Sequence, residues 1–501
     1  MKGKESKSYF NIFFFLSPLI LNLSYAPISI FFLAYFSFVP FFYYLEKLNL
    51  KKTFLYGFFY GLIFWMSHLW WLYFLKPQIT QTTKLLLYLG IVVLFFYLAL
   101  YFALFAYLTK ITSLFFAPII LPILEFIRTK SEIGFPWGLV GYTQTKNLIF
   151  LNWASIFGIY GVSALVILIN LLIYKIIFHS DKKRFLILLI ILIFSSIGYY
   201  SARIKTLPDF FKVALLQPNV LPEEKGTKEE QIRLLNQLIR MTKIAAERKP
   251  HLIIYPETAS LIDITFDSPY QEFLKAVSDT YGCYLLIGTP RYEKDEKGFR
   301  YYNASVLFAP QKGITGEYRK IHLVPFSERI PYYEKIKIFK LIETEDMGNY
   351  SPGKEYTVFK TDKTSFSCAI CFESIFPDLI REFVKRGAEV IVNITNDGWF
   401  GKTFGPYQHY ELAIARAVEN GIPLVRCANN GFSLICDPFG KVYKKSKLFK
   451  EEIIFANVKI PLKNTIYRQF GDWFILFSAI IFGFYFIIKT FLYFLSFSKR
   501  K

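Results

Sequence analysis

Three residues far apart in the chain have the types needed for covalent chemistry on a carbonyl group: Glu257, Lys320 and Cys371. Glu257 sits in Tyr255-Pro256-Glu257-Thr258-Ala259, directly after the apolar Leu252-Ile253-Ile254. Proline ends strand pairing and leaves the carboxylate at a strand's carboxyl end, where α/β sheets place their sites. Alone, the motif reads equally as a solvated turn. Lys320 lies in the amphipathic stretch Tyr318–Glu328, which alone reads as a surface lysine beside a turn. Cys371 closes Cys368-Ala369-Ile370-Cys371, followed by Phe372-Glu373-Ser374. A C-x-x-C pair suggests a redox couple or half a zinc site. Ser365–Ile370 reads as a strand, however, so the two thiols face opposite sides, with Cα atoms about 10 Å apart and beyond disulfide reach. No second C-x-x-C and no H-x-x-x-H accompanies it, so neither metal nor cofactor is expected. A cysteine between a buried strand and a helix start near Ser374 and Pro377 is better placed as a nucleophile, with the helix dipole favouring its thiolate. A carboxylate that takes the thiol proton and a lysine that meets the developing oxyanion complete the chemistry. There is no G-x-S-x-G, which disfavours a serine triad, and the five histidines show no metal spacing.

The elements that must position these residues follow from composition. Hydrophobic residues make up 53% and charged residues only 19% of the 501, which excludes a disordered or collagen-like chain. Five cysteines exclude a disulfide scaffold. The net charge of +21 falls in short clusters flanking apolar runs, such as Lys182-Lys183-Arg184, so it marks membrane topology and no nucleic-acid partner. Eight runs are long enough to be read as spans: 9–24, 26–45, 54–75, 85–108, 111–127, 155–178, 185–200 and 473–495. The first resembles a signal peptide, but it lacks a clear cleavage site and is read as uncleaved. With the N-terminus inside, inner loops and tails carry 13 Lys/Arg and short outer loops carry five. The positive-inside rule then puts the polar stretch after the seventh span on the outer face.

That stretch, 201–471, alternates strand candidates with helical ones, and an α/β sheet domain is expected. Strands are expected at Val213–Gln217, Leu252–Tyr255, Tyr284–Gly288, Ala304–Phe308, Ser365–Ile370, Val390–Asn393, Leu424–Cys427 and Ile453–Val458. Helices are expected near Lys228–Arg248 and Pro406–Glu419. The division is then a membrane domain of seven helices (1–200), a catalytic domain (201–471), and an eighth span with a cytoplasmic tail (472–501).

The order Glu257, Lys320, Cys371 resembles the carbon–nitrogen hydrolase (nitrilase) superfamily, as do Asn396-Asp397-Gly398-Trp399-Phe400-Gly401, Gln408-His409 and Asn429-Asn430-Gly431. With spans on both sides, the chain resembles within it the apolipoprotein N-acyltransferase family. Gly134–Tyr142, Gln217-Pro218-Asn219, Tyr302-Asn303, Pro325-Phe326 and Pro352-Gly353 add to that resemblance. The resemblance implies a multi-span helical membrane domain with an αββα sandwich. It implies transfer of an acyl chain from a membrane phospholipid, through a Cys371 thioester, to the N-terminal amine of a diacylglyceryl-cysteine apolipoprotein. Glu257 is then the base, Lys320 the stabiliser of the tetrahedral intermediate, and Glu328, Glu373, Asn303 and Trp399 are supporting residues. The implied location is a bacterial inner membrane with the catalytic domain on the periplasmic face. Two departures stand out: Phe372 where many members have Tyr, and Lys225-Gly226 where many have Trp. The alternatives are a membrane-anchored amidase using the same triad, which would need one span and not eight, and a transporter with a retired extracellular domain, which the intact triad disfavours. The aromatic loop 128–154, with Trp137, Tyr142 and Trp153, is expected to help cover the site.

Overall fold

The computed structural model describes residues 2–75, 81–221, 227–295, 298–333, 335, 350–461 and 464–498. The Lys225-Gly226 pair lies outside them.

The N-terminal part is helical: α1 (Lys2–Asn22), α2 (Val39–Lys47), α3 (Leu50–His68), α4 (Gln81–Ile111), α5 (Ala117–Arg128), the single turn α6 (Leu148–Leu151), α7 (Ala154–Phe178) and α8 (Lys182–Arg203). Among the described residues, four helices are long and apolar enough to cross a membrane: Lys84–Ile111, Ala154–Phe178, Lys182–Arg203 and Trp473–Leu492. The runs 26–45, 54–75 and 111–127 fold as shorter α-helices joined to 3₁₀ turns. Segment 26–45 starts α2 only at Val39, where Pro40 occupies the first turn and needs no N–H partner. Helices α3 and α4 approach closely at Gly57 and Gly61, where a Cβ would meet Ala106 and Phe102 at 2.6 and 2.8 Å. Small residues are the usual means of close packing where lipid removes the hydrophobic drive between helices. Helix α7 is the buried pillar of the bundle, and it breaks at Gly158, whose φ of 69° suits glycine.

Next come β1 (Asp209–Gln217), α9 (Lys228–Glu247), β2 (Leu252–Ile254), α10 (Pro269–Tyr281), β3 (Tyr284–Asp295), β4 (Gly298–Ala309) and β5 (Gly313–Arg319). After them come β6 (Phe359–Lys360), β7 (Ser365–Ile370), α11 (Pro377–Lys385), β8 (Val390–Thr395), α12 (Gly405–Asn420) and β9 (Leu424–Ala428). The chain continues through β10 (Leu434–Cys436), β11 (Val442–Lys445) and β12 (Glu452–Lys459), then α13 (Ile466–Phe470) and α14 (Trp473–Ser498). Two six-stranded sheets result, ordered β12-β1-β2-β3-β4-β5 and β11-β10-β9-β8-β7-β6. Strand alternation explains the layering. In the first sheet Val213, Leu215, Leu252, Ile254 and Leu286 join the core shared with the second sheet. Their neighbours Ala214, Leu216, Ile253, Leu285 and Ile287 pack on Leu234, Leu238, Met241 and Leu274 of α9 and α10. The second sheet has α11 and α12 on its outer face, and the result is an αββα sandwich. Parallel pairing of β1-β2-β3 and of β7-β8-β9 brings several carboxyl ends to one edge.

Candidate functional site

At that edge, β2 delivers Glu257, β5 delivers Lys320, β7 delivers Cys371 and β8 delivers Asn396 and Asp397. Lys320 directly follows β5, and its backbone N–H donates to Asn303 O at 2.8 Å, which sets β5 against β4 in register. Lys320 Nζ donates to Glu328 Oε1 at 2.9 Å and lies 3.6 Å from Glu257 Oε1. Asn303 Nδ2 bridges the two carboxylates, donating to Glu257 Oε1 at 2.8 Å and to Glu328 Oε1 at 3.1 Å. The Asn396 backbone N–H donates to Glu257 Oε2 at 2.9 Å, and Val324 N–H to Glu328 Oε2 at 2.8 Å. Glu257, Asn303 and Lys320 are all buried.

The cluster holds two carboxylates and one ammonium. Burial alone would push the Lys320 ammonium down, but Glu328 and Glu257 outweigh it and hold Lys320 well above the usual lysine range. Burial pushes the Glu257 carboxyl up; Lys320 opposes this and Glu328 adds to it. The Cys371 thiol is pushed up by burial and then by the Glu257 charge. This corrects the expectation of a thiolate favoured by a helix dipole. The turn after β7 is a short 3₁₀ segment, Cys371–Ile375, whose dipole is small against desolvation. This upward direction favours the protonated thiol over a resting thiolate. Its φ of 53° puts it in the left-handed region, a conformation that persists only where surroundings impose it and that clusters at working sites.

Glu373 has a different task from the other two carboxylates. It is fully buried. Oε1 accepts from Tyr318 Oη at 2.7 Å, Ile321 N at 2.7 Å and His322 N at 3.0 Å, and Oε2 accepts from Ile370 N at 2.7 Å. It thus orients Lys320 through the backbone of the two following residues and ties that loop to the Cys371 turn. Burial pushes its carboxyl up to about 7. Trp399 is 43% exposed, in the 3₁₀ turn after β8, while its neighbour Phe400 packs on Trp71, Trp137 and His409. Cys368 lies within β7, its thiol raised to about 12 by burial.

A layer beneath the site was given no role in the sequence reading. Asn393 Nδ2 donates to Ala369 O at 2.9 Å and to Cys371 O at 3.3 Å, fixing the Cys371 backbone. Its Oδ1 accepts from Arg426, which also donates to Asp397 at 2.9 Å. Asp397 in turn meets His409 Nδ1 at 2.9 Å, and with Arg426 and His409 beside it stays well below the usual carboxylate range. The available signal was the density of Asn, Asp and His in 393–409, in runs too apolar to be loops.

The α/β domain is seated on the helices through α12. Gln408 Oε1 accepts from Trp71 Nε1 at 3.0 Å and Trp137 Nε1 at 2.8 Å, and Glu419 Oε1 accepts from Ile159 N, beside the α7 break, at 2.9 Å. Arg416 joins Glu419 (2.7 Å) to Ile375 O (2.8 Å), at the end of the Cys371 turn. Trp137 is 2% exposed and stacks on His409 of α12, while Glu132 of the same loop accepts from Tyr332 N at 2.7 Å.

Comparison with known proteins follows the same division. Residues 17–172 match the apolipoprotein N-acyltransferase N-terminal domain, and residues 212–465 match the carbon–nitrogen hydrolase family. The chain is 33% identical to the apolipoprotein N-acyltransferase of Geobacter metallireducens over 91% of each chain, and 35% identical to that of Rickettsia typhi over 70% of this chain and 71% of that one. Among solved structures, a nitrilase-superfamily member of Saccharomyces cerevisiae matches 51% of this chain and 92% of its own, with 24% identity and a TM-score of 0.39.

Proposed function

The chain belongs to the apolipoprotein N-acyltransferase family, a bacterial membrane enzyme family, and from that premise we propose a two-step acyl transfer at Cys371. As the Cys371 thiol attacks the ester carbonyl of a phospholipid, its proton passes to Glu257 and the oxyanion forms beside Lys320. Collapse breaks the ester C–O bond; the departing lysophospholipid alkoxide takes the proton back from Glu257, leaving the chain as a thioester. The α-amine of a diacylglyceryl-cysteine apolipoprotein then attacks the thioester, gives its proton to Glu257, and expels a thiolate that recovers that proton. Glu328 and Asn303 keep Lys320 charged and Glu257 aimed, and Glu373 fixes the loop that carries Lys320.

The observation that supports this reading is the buried Glu257–Asn303–Glu328–Lys320 cluster beside a cysteine held at positive φ, on a domain seated directly on membrane helices. Desolvation favours it: an oxyanion next to a buried ammonium is stabilised far more than in water. In the proposed topology seven spans precede 201–471, which faces the outside of a bacterial inner membrane, and an eighth follows. Mass spectrometry of the purified protein after incubation with phospholipid alone tests the mechanism. An acyl adduct on Cys371, absent in Cys371→Ala, is expected, and an adduct elsewhere or none overturns the reading. Labelling of a cysteine placed at residue 300 from the cytoplasmic side would overturn the topology.

A further inference from the structure

The catalytic domain carries a second feature that acyl transfer does not use. Between residues 441 and 450 lie Lys441, Lys444, Lys445, Lys447 and Lys450, with no acidic residue among them. Part of this stretch is β11, the edge strand of the second sheet. Lysines on an edge strand commonly guard against pairing with another chain, but three observations here go beyond that.

First, β11 borders a cavity of about 380 Å³ lined by Lys146, Tyr410, Val442, Tyr443, Lys444 and Lys445. It shares no residue with the Glu257–Lys320–Cys371 site. Second, its cations outnumber its anions. Lys146 Nζ pairs with Glu411 Oε1 at 2.7 Å, so that carboxylate is taken. Lys445 Nζ stands 4.9 Å from the Phe432 ring centroid and 5.2 Å from that of Tyr410, over the ring that Lys146 also faces at 5.4 Å. Burial and then the Lys146 charge push the Lys445 ammonium down, as expected of two cations facing one space.

Third, the cavity adjoins the ends of the apolar helices. The turn between β10 and β11 rests on α6: a Cβ on Gly440 would lie 3.1 Å from Leu148 and 3.3 Å from Leu151, and Asn152 Nδ2 donates to Phe439 O at 3.0 Å. The next residue, Trp153, stacks on Tyr199 of α8 at 4.7 Å, and Trp473 at the start of α14 donates its indole N–H to Ile156 O at 2.8 Å. Tryptophan and tyrosine grouped at the ends of apolar helices mark the membrane–water interface. In the topology proposed above, this places the lysines at headgroup depth.

We propose that this cavity is a binding site for the phosphate of an anionic phospholipid headgroup, with Lys445 and Lys146 as the cations that receive it and Tyr410 and Tyr443 as its walls. A zwitterionic headgroup brings its own ammonium into a space already rich in positive charge, so anionic lipid is favoured. Such a lipid would anchor the β10–β11 edge to the bilayer independently of substrate turnover.

The test is native mass spectrometry of the full-length protein released from nanodiscs that contain phosphatidylcholine with or without phosphatidylglycerol. Wild type should retain phosphatidylglycerol in preference to phosphatidylcholine. Lys445→Gln should weaken retention roughly fivefold, the usual worth of one lysine at an anionic surface. Lys445→Glu should abolish it and Lys445→Arg should preserve it. Lys445 is exposed, and acyl-adduct formation on Cys371 should persist in all three variants, which shows the fold intact. Equal retention by Lys445→Glu and wild type, or equal retention of the two lipids, overturns the proposal. Complete displacement of the lipid by millimolar inorganic phosphate would also overturn it, by showing a site for free phosphate.

Discussion

Among the individual residues, the charge count decides the chemistry. Glu257 and Glu328 against Lys320 leave one surplus negative charge in a dry pocket, and burial followed by the Glu257 charge disfavours a preformed thiolate on Cys371. In the proposed mechanism, proton transfer and attack are then coupled. Lys320→Met removes the cation that contacts both carboxylates and, in the proposed mechanism, the charge that meets the oxyanion. Loss of one oxyanion donor costs roughly 10²–10³ in rate, so single-turnover adduct formation on Cys371 should fall by at least that much. Normal adduct formation in this variant would return Lys320 to the status of a structural cation. The pH dependence has a definite sign. Glu257 must be ionised to accept the proton, and its carboxyl is raised from the ordinary 4.5, so the adduct rate should already fall at a pH above 4.5 on acidification. Glu328 is one cause of that rise, so Glu328→Gln should move the limb to lower pH while lowering the plateau. An acid limb at an ordinary carboxylate value would count against Glu257 as the base. Cys368→Ala alters only a β7 core contact, and turnover within a few fold of wild type is expected; complete loss would revive a redox pair.

Individual elements matter because each brings one reactive group and is held to the next by backbone hydrogen bonds. Glu373 is the clearest case, with four N–H or O–H donors arriving from β5, the loop after it and β7. In Glu373→Gln one oxygen becomes an amide N–H₂ facing a donor. A buried donor left without an acceptor costs about 1–3 kcal/mol. The variant should fold with a lowered melting temperature and form the adduct slowly, because the Lys320 loop loses its tie to the Cys371 turn. Thermal unfolding in detergent, paired with adduct kinetics, checks this; unchanged values for both would reduce Glu373 to a filler. The strand expectations at Ser365–Ile370 and Leu252–Tyr255 match β7 and β2 to within a residue, and those are the strands that end in Cys371 and Glu257. Strands β5 and β11 escaped the sequence reading because Gly, Lys and Arg interrupt their apolar alternation, and β10 because its three residues are too few to show a period. Pairing with a neighbour, and not composition, makes them strands.

Across the whole molecule, the two parts are coupled by buried charge at their seam. Arg416 and Glu419 on α12 are both buried and join the Cys371 turn to the broken end of α7. Arg416→Met would strand a buried carboxylate, and breaking such a pair from one side costs about 3–5 kcal/mol. A large drop in melting temperature is expected, with most of it recovered when Glu419→Leu is added. If the single variant melts like wild type, the seam does not depend on this pair. The family, the αββα class and the apolar helical segments were all legible in the chain alone. Strand periodicity, proline stops and long apolar runs are local signals that burial enforces wherever they occur. Which carboxylate touches Lys320, which one orients its loop, and the Asn393–Arg426–Asp397–His409 layer were decided only by tertiary structure. Those contacts join residues dozens of positions apart, and side-chain charge in a buried site depends on what else shares the same dry space, which no single stretch of sequence records.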